Sequence, residues 1–329
     1  MSEPSPTRPK RRGRLFRFSA ALLVLCGVVA YLVVQYVTGG GGARGCTVVS
    51  ASGDGASYEF TPEQAVNAAT IAAVGTGRGM PERAVTIALA TALQESGLRN
   101  IEHGDRDSLG LFQQRPSQGW GTERQIMDPA YAAGIFYAHL DKVPNYTGLP
   151  LTVAAQRVQR SGYPEAYAKH EPDATLLAAA LTGRAAATLT CDGRPQRTSE
   201  ATGPDAVRAA LVRDFGRDAL QETGAEVGGT PVPSPSPSPS VTATAHGRTV
   251  TVPVPEGTKT DASGRDERAR GWQLAQWAVA NSSALHIERV SYAGREWTSG
   301  SGGEWRTVSS QGAGGAEKSV GAVRIVAGQ

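Results

Sequence analysis

A glutamate closes the run Ala88-Leu89-Ala90-Thr91-Ala92-Leu93-Gln94-Glu95-Ser96-Gly97-Leu98, and Ser108-Leu109-Gly110-Leu111-Phe112-Gln113-Gln114 follows shortly after it. An acid at the end of an apolar helix loses hydration and meets the negative end of the helix macrodipole, and both effects raise its pKa. A carboxyl kept protonated near neutral pH is a general acid, able to protonate the oxygen leaving a glycosidic bond. Downstream, Gly110 lets the backbone approach closely, while Gln113 and Gln114 offer the amide donors and acceptors that suit sugar hydroxyls. For a lone glutamate, a partly exposed helix end is the simpler reading. The amide-rich segment after it shifts the weight toward chemistry.

The elements that must hold these residues can be read locally. Pro81 suits a first helical position, nothing from Glu82 to Ser96 breaks a helix, and Gly97 supplies a stop. Ala84, Ile87, Ala88, Thr91 and Glu95 fall on one helical face, so the acid extends a small, largely apolar stripe. Ser108 to Pro116 reads as a turn into a short extended stretch. Thr61-Pro62-Glu63-Gln64 has the pattern of a capping box, and Asp128-Pro129 opens a helix whose Ala130, Gly134, Phe136, Tyr137 and Leu140 supply a packing surface.

Glu95-Ser96 together with Gly110-Leu111-Phe112-Gln113 resembles the active-site signature of the lysozyme-like, soluble lytic transglycosylase (SLT-type) family, in its actinobacterial membrane-anchored form, over about residues 58–183. The resemblance implies a lysozyme-like fold, α+β and mostly α, that cuts peptidoglycan glycan strands at the β-1,4 bond between N-acetylmuramic acid and N-acetylglucosamine. It assigns Glu95 as acid and base, and places Ser96, Gly110, Leu111, Phe112, Gln113 and Gln114 along the cleft. The stretch Ala154 to Pro164 occupies the place of the family's third motif, usually Ala-Tyr-Asn-(Ala or Gly)-Gly, and departs from it. Gln156, Gln159 and Tyr163 are its cleft-lining candidates, with solvated helix positions as the other reading. A hydrolase of this fold needs a second carboxylate, for which Asp105 and Asp107 are the candidates; Arg106 between them favours a solvated loop or an ion-pair network. A lytic enzyme manages with one glutamate. The alternative function is a catalytically inactive lysozyme-like module that binds glycan or scaffolds cell-wall assembly.

Residues 18–37 form an almost uninterrupted apolar run, close to the ~20 residues needed to cross a bilayer. Arg8, Lys10, Arg11, Arg12, Arg14 and Arg17 precede it, so the positive-inside rule expects a single-pass protein of the cell membrane with a cytoplasmic N-terminus and an extracytoplasmic body. The basic tail then contacts anionic lipid. A cleavable signal peptide is the rival reading, but no small-x-small site follows Val37. Cys26 falls within the run, whereas Cys46 and Cys191 flank the lysozyme-like segment. An oxidising exterior favours one staple between those two, with free thiols as the alternative.

Composition divides the chain into a basic tail (1–17), the transmembrane helix (18–37), a Gly-rich stalk (38–57), the catalytic domain (58–191), a helical extension (192–224), a Pro/Ser/Thr-rich linker (225–262) and a small α/β module (263–329). The extension carries an amphipathic helix from Pro204 to Phe215, and the linker is expected to separate two bodies. In the last module, Arg268 to Leu285 reads as a helix and Ile287 to Tyr292, Glu296 to Thr298 and Ala322 to Val326 as strands. Its Trp272 to Trp305 part resembles the final portion of a C-terminal module of actinobacterial secreted cell-wall proteins, which implies a truncated binding or structural module. The last strand reads Val323-Arg324-Ile325 where that module often carries a His-x-His pair. No cysteine pair has metal-ligand spacing, and His103, His139, His170, His246 and His286 are scattered, so neither a metal nor another cofactor is expected. A net charge of +3, with much of the excess in the tail, gives no support to nucleic-acid binding.

Overall fold

β-Branched Thr47, Val48 and Val49 favour extended backbone. In the computed structural model, which describes residues 45–192, 202–217, 247–254, 266–300, 303–308 and 321–328, they form most of β1 (Cys46–Val49). This strand lies within the stretch expected to be stalk, so the folded body starts earlier than composition indicates. It pairs antiparallel with both β2 (Ser57–Phe60) and β3 (Leu189–Cys191), in the order β2-β1-β3. Cys46 stands opposite Cys191 across that pairing, and the two form a disulfide. Their sequence separation of 145 makes the bond worth about 5 kcal/mol in the chain-entropy model. The apolar run 18–37 lies outside the described residues; among those, no helix is long and apolar enough to cross a membrane.

The helical body follows. Thr61 and Gln64 form the expected capping box at the start of α1 (Pro62–Gly77). In α2 (Glu82–Ser96), Pro81 is the extended N-cap rather than the first helical residue. The larger difference is burial: every residue from Ala84 to Leu93 is buried, so α2 is a central helix and not an amphipathic one. Its small side chains, Ala84, Ala88, Ala90 and Ala92, let neighbours close in on all sides. Those neighbours include α1, α4 (Pro129–Leu140), α5 (Leu151–Gln159), the 3-10 turn Pro164–His170 and α6 (Glu171–Leu181). Asp128 caps α4 by accepting from the Ala130 N–H at 2.9 Å, and the short α3 (Glu123–Ile126) precedes it.

Beyond β3, α7 (Pro204–Phe215) has the bounds its sequence indicates and packs on α1. A five-stranded antiparallel sheet then runs in the order β4-β8-β5-β6-β7, with β4 Thr249–Pro253, β5 Ile287–Tyr292, β6 Arg295–Thr298, β7 Arg306–Thr307 and β8 Ala322–Ala327. β4 falls inside the segment read as linker, where the alternation Thr249-Val250-Thr251-Val252 is a strand pattern masked by the Pro- and Ser-rich composition before it. Helix α8 (Glu267–Ala280) stops short of the Leu285 expected for it.

The linker expected at 225–262 lies, apart from 247–254, outside the described residues; among those described from 45 on, the helical body and the sheet cluster as one compact unit, with α8 between them. Helix α8 is buried from Gly271 to Ala280 because the sheet covers one side and the helical body the other. On the sheet side Trp272 meets Tyr292 and Trp305 edge-on, at 5.4 and 5.2 Å between centroids. On the body side, Gln276 Oε1 accepts from the N–H groups of Thr188 (3.0 Å) and Leu189 (2.9 Å). Its Nε2 donates to Ala180 O at 2.7 Å and Ala185 O at 2.8 Å. Trp277 Nε1 donates to the buried Asp214 carboxylate at 2.8 Å, which also accepts from Thr70 and Arg213.

Replacing Gln276 by leucine leaves the N–H groups of Thr188 and Leu189 without an acceptor, while Ala180 O keeps the Gly183 N–H and Ala185 O the Thr188 hydroxyl, so Gln276→Leu is expected to destabilise the protein by about 2 kcal/mol or more. A shift in the denaturant midpoint, followed by both tryptophan fluorescence and circular dichroism, checks this. A single transition that moves as one is the expected result, because the join is shared by both halves.

Candidate active site

The acid is positioned by the way α2 ends. Gly97 takes left-handed backbone (φ 63°) and Leu98 does the same (φ 59°), so the chain turns sharply just after the acid. The turn is held from α1: Gln64 Nε2 donates to Gly97 O at 2.7 Å and Asn67 Nδ2 to Leu98 O at 2.8 Å. Leu98 itself is fully buried, which anchors the strained backbone. Ser96 Oγ donates to Leu111 O at 2.8 Å, tying the helix end to the downstream segment. That segment is a tight hairpin closed by Leu109 and Gln114, whose backbone groups exchange bonds of 2.9 and 3.0 Å. Gly110 sits in it at φ 73°, with Ile126 O where a side chain would begin.

Glu95 is half-buried. Burial pushes its pKa up; hydrogen bonds from Tyr167 and Gln159 oppose this without cancelling it. The Tyr167 hydroxyl donates to Glu95 Oε1 at 2.7 Å. Tyr167 is itself fully buried, and burial together with the neighbouring carboxylate keeps its phenol protonated and its pKa raised. Gln159, the last residue of α5, also donates from Nε2 to Phe112 O at 2.7 Å, so one amide joins the acid, the hairpin tip and α5. Next to the acid, Gln94 Oε1 lies 3.2 Å from His170 Nε2, whose pKa is lowered chiefly by burial. The arrangement is a carboxyl that holds its proton unusually well, with a phenol ready to stabilise the anion once the proton is given up.

The residues expected along the cleft are placed as follows. Ser96, Leu111, Phe112 and Gln114 are buried. Phe112 stacks on Phe136 at 4.6 Å, and Gln114 Nε2 donates to Ala132 O at 3.1 Å. Their side chains pack the hairpin against α4, because a turn so close to a central helix has to bury its apolar tip. Gln113 is half-buried with Nε2 on Gly110 O at 3.2 Å, Gln156 donates to Ser161 O at 2.8 Å, and Tyr163 is exposed. Asp107 Oδ1 accepts from Arg115 Nε at 2.7 Å and Oδ2 from the Ser117 N–H at 2.9 Å; the Ser117 side chain and N–H, with Arg115, hold it well below the usual carboxylate range. Asp105 is exposed beside Arg106. Neither aspartate is among the groups acting on Glu95, which are Tyr167 and Gln159.

Tyr167 was not legible from the sequence, since it lies 72 residues from its partner and on a 3-10 turn with no motif of its own. Two cavities, of about 500 Å³ between Glu82, Arg184 and Trp272 and about 520 Å³ between Arg78, Tyr131 and Phe215, lie elsewhere and are not bordered by Glu95. Among the described residues no group of three His, Cys, Asp or Glu side chains could hold a metal ion.

Residues 233–318 match the family described as VldE, C-terminal domain. The match covers well under half of the chain, lies on the sheet-bearing part and does not include Glu95. No curated protein matches the chain.

Because burial raises the pKa of Glu95, the native state holds that proton more tightly than the unfolded chain does. The resulting stability is present below the ordinary carboxylate pKa and is lost as pH rises through the raised native value. Glu95→Gln keeps an acceptor for Tyr167 and removes the desolvated charge, so its Tm should exceed that of the wild type at neutral pH and converge with it in acid. Melting curves across that range decide the matter; a variant no more stable at neutral pH contradicts a desolvated carboxyl.

Proposed function

We propose that the protein is an extracytoplasmic, peptidoglycan-cleaving enzyme of lysozyme-like fold that works as a lytic transglycosylase, with Glu95 as its acid and base. The observation that carries the reading is the half-buried Glu95 carboxyl, its pKa raised by burial and its Oε1 2.7 Å from the Tyr167 hydroxyl. Protonated Glu95 gives its proton to the glycosidic oxygen as the C1–O bond breaks. Tyr167 stabilises the carboxylate that forms. As a base, Glu95 then takes the proton from the sugar's own C6 hydroxyl while O6 bonds to C1, which leaves a 1,6-anhydro end and returns the acid to its starting state. One carboxyl suffices for this sequence, and the engagement of Asp107 with Arg115 and Ser117 favours it over a hydrolysis needing two.

The same reading places residues 18–37 across the cell membrane and the body outside, where a disulfide such as Cys46–Cys191 persists. The partner is the glycan strand of peptidoglycan. A second reading, a glycan-binding or scaffolding module without turnover, is favoured by the burial of Ser96, Leu111, Phe112 and Gln114, which leaves fewer side chains for sugar.

Release of dye from labelled, insoluble peptidoglycan by the full chain tests turnover. Glu95→Gln is expected to lower the rate at least about a hundredfold. The wild-type rate should fall as pH rises through the raised pKa of Glu95, and Tyr167→Phe, which removes a donor to the anion, should move that fall to higher pH. No release by the wild type at any pH, with the protein still retained on the glycan, would establish the second reading instead.

A further inference from the structure

The cavity of about 500 Å³ is walled by the start of α2, the loop after α6 and the first turns of α8. Those walls are locked together. Gly183 has left-handed backbone (φ 82°) and lies so close to Ala269 O that no side chain fits there. Arg184 Nε donates to both oxygens of Glu82, at 2.9 and 2.7 Å, and Thr182 Oγ1 donates to the same carboxylate at 3.2 Å. The polar groups around the cavity are only partly used. Arg184 spends Nε on Glu82, and its two terminal nitrogens have no protein partner among the described residues. Arg268 is exposed and has no partner among them either. Asp266 caps α8 with Oδ1, which accepts from the Ala269 N–H at 2.8 Å, and its Oδ2 is left over. Buried Met80 and Trp272 supply apolar wall beside these charges. A free guanidinium fork takes a carboxylate through two parallel N–H bonds, and a free carboxylate oxygen takes an ammonium. The volume lies within the roughly 300–1,000 Å³ of small-molecule sites.

We propose that this cavity binds a small zwitterion with an apolar body, a short peptide of alanine type, whose carboxylate is held by Arg184 and Arg268 and whose ammonium is held by Asp266. The site is separate from the acid. Glu82 and Glu95 stand at opposite ends of α2, which puts the cavity about 20 Å from Glu95. The proposal therefore does not depend on the glycan reading, and a peptide with no glycosidic bond tests it alone. Both charges of the ligand are required, because each meets a group that the protein itself leaves unpaired.

Alanyl-alanine, titrated separately as its L,L and D,D forms into the full chain in a calorimeter, is the probe. One form should bind with an apparent Kd of about 1 mM or tighter, and N-acetylation or C-terminal amidation of that form should weaken it at least about tenfold. Arg184→Lys keeps a cation for Glu82 but loses the fork, so it should weaken the free dipeptide and leave the amidated one unchanged. Asp266→Asn keeps a good cap for α8 and loses the charge, so it should weaken the free dipeptide and leave the acetylated one unchanged. Glu95→Gln should bind as the wild type does. Circular dichroism melting shows that each variant is folded, and Asp266→Asn carries the test if Arg184→Lys is not. Absence of binding by both forms overturns the site. So does a capped dipeptide that binds as tightly as the free one, or an unchanged Kd in both cavity variants.

Discussion

Burial of α2 on every side is the constraint from which the site follows. A helix enclosed by α1, α4, α5 and α6 cannot place a carboxylate anywhere along its middle without a large desolvation cost. Only its end turns come near solvent, and Glu95 is in the last of them, half-buried, where the cost raises the pKa instead of unfolding the chain. The same enclosure explains the bracing. Left-handed Gly97 and Leu98 turn the backbone away at once, Gln64 and Asn67 hold the turning carbonyls, and Ser96 fastens the hairpin that carries Phe112 beneath Gln159.

The C-terminal part belongs to this arrangement and is no mere appendage. Gln276 inserts its amide among backbone groups at Ala180, Ala185, Thr188 and Leu189, which lie at the end of α6 and the start of β3. α6 packs on α2, and β3 carries the cysteine that pairs with β1. The sheet-bearing half thereby supports the helix that bears the acid. Residues matched to the VldE C-terminal family description thus contribute to the integrity of a body that lies outside that match.

Local chemistry was legible in the sequence, and contact between distant segments was not. The Thr61–Gln64 capping box, the Asp128 cap, the bounds of α7 and the helix ending at Ser96 each depend on residues within a few positions of one another. The Cys46–Cys191 pairing was legible because only two cysteines flank the body. By contrast, the Glu95–Tyr167 pair spans 72 residues and the Gln276–Thr188 pair 88. The inward packing of Ser96, Leu111, Phe112 and Gln114 was not legible for the same reason: it depends on contacts with α4 and the end of α2. β4 was hidden because a composition rich in proline and serine on one side outweighed five residues of strand pattern.

The claim that one carboxyl performs both proton transfers is tested most directly by the sugar ends it leaves. Purified peptidoglycan digested by the full chain, with products identified by mass spectrometry, should yield 1,6-anhydro-muramyl ends that are absent when Glu95→Gln is used. Reducing ends in their place would contradict the account, since they require an activated water and a second group to hold it.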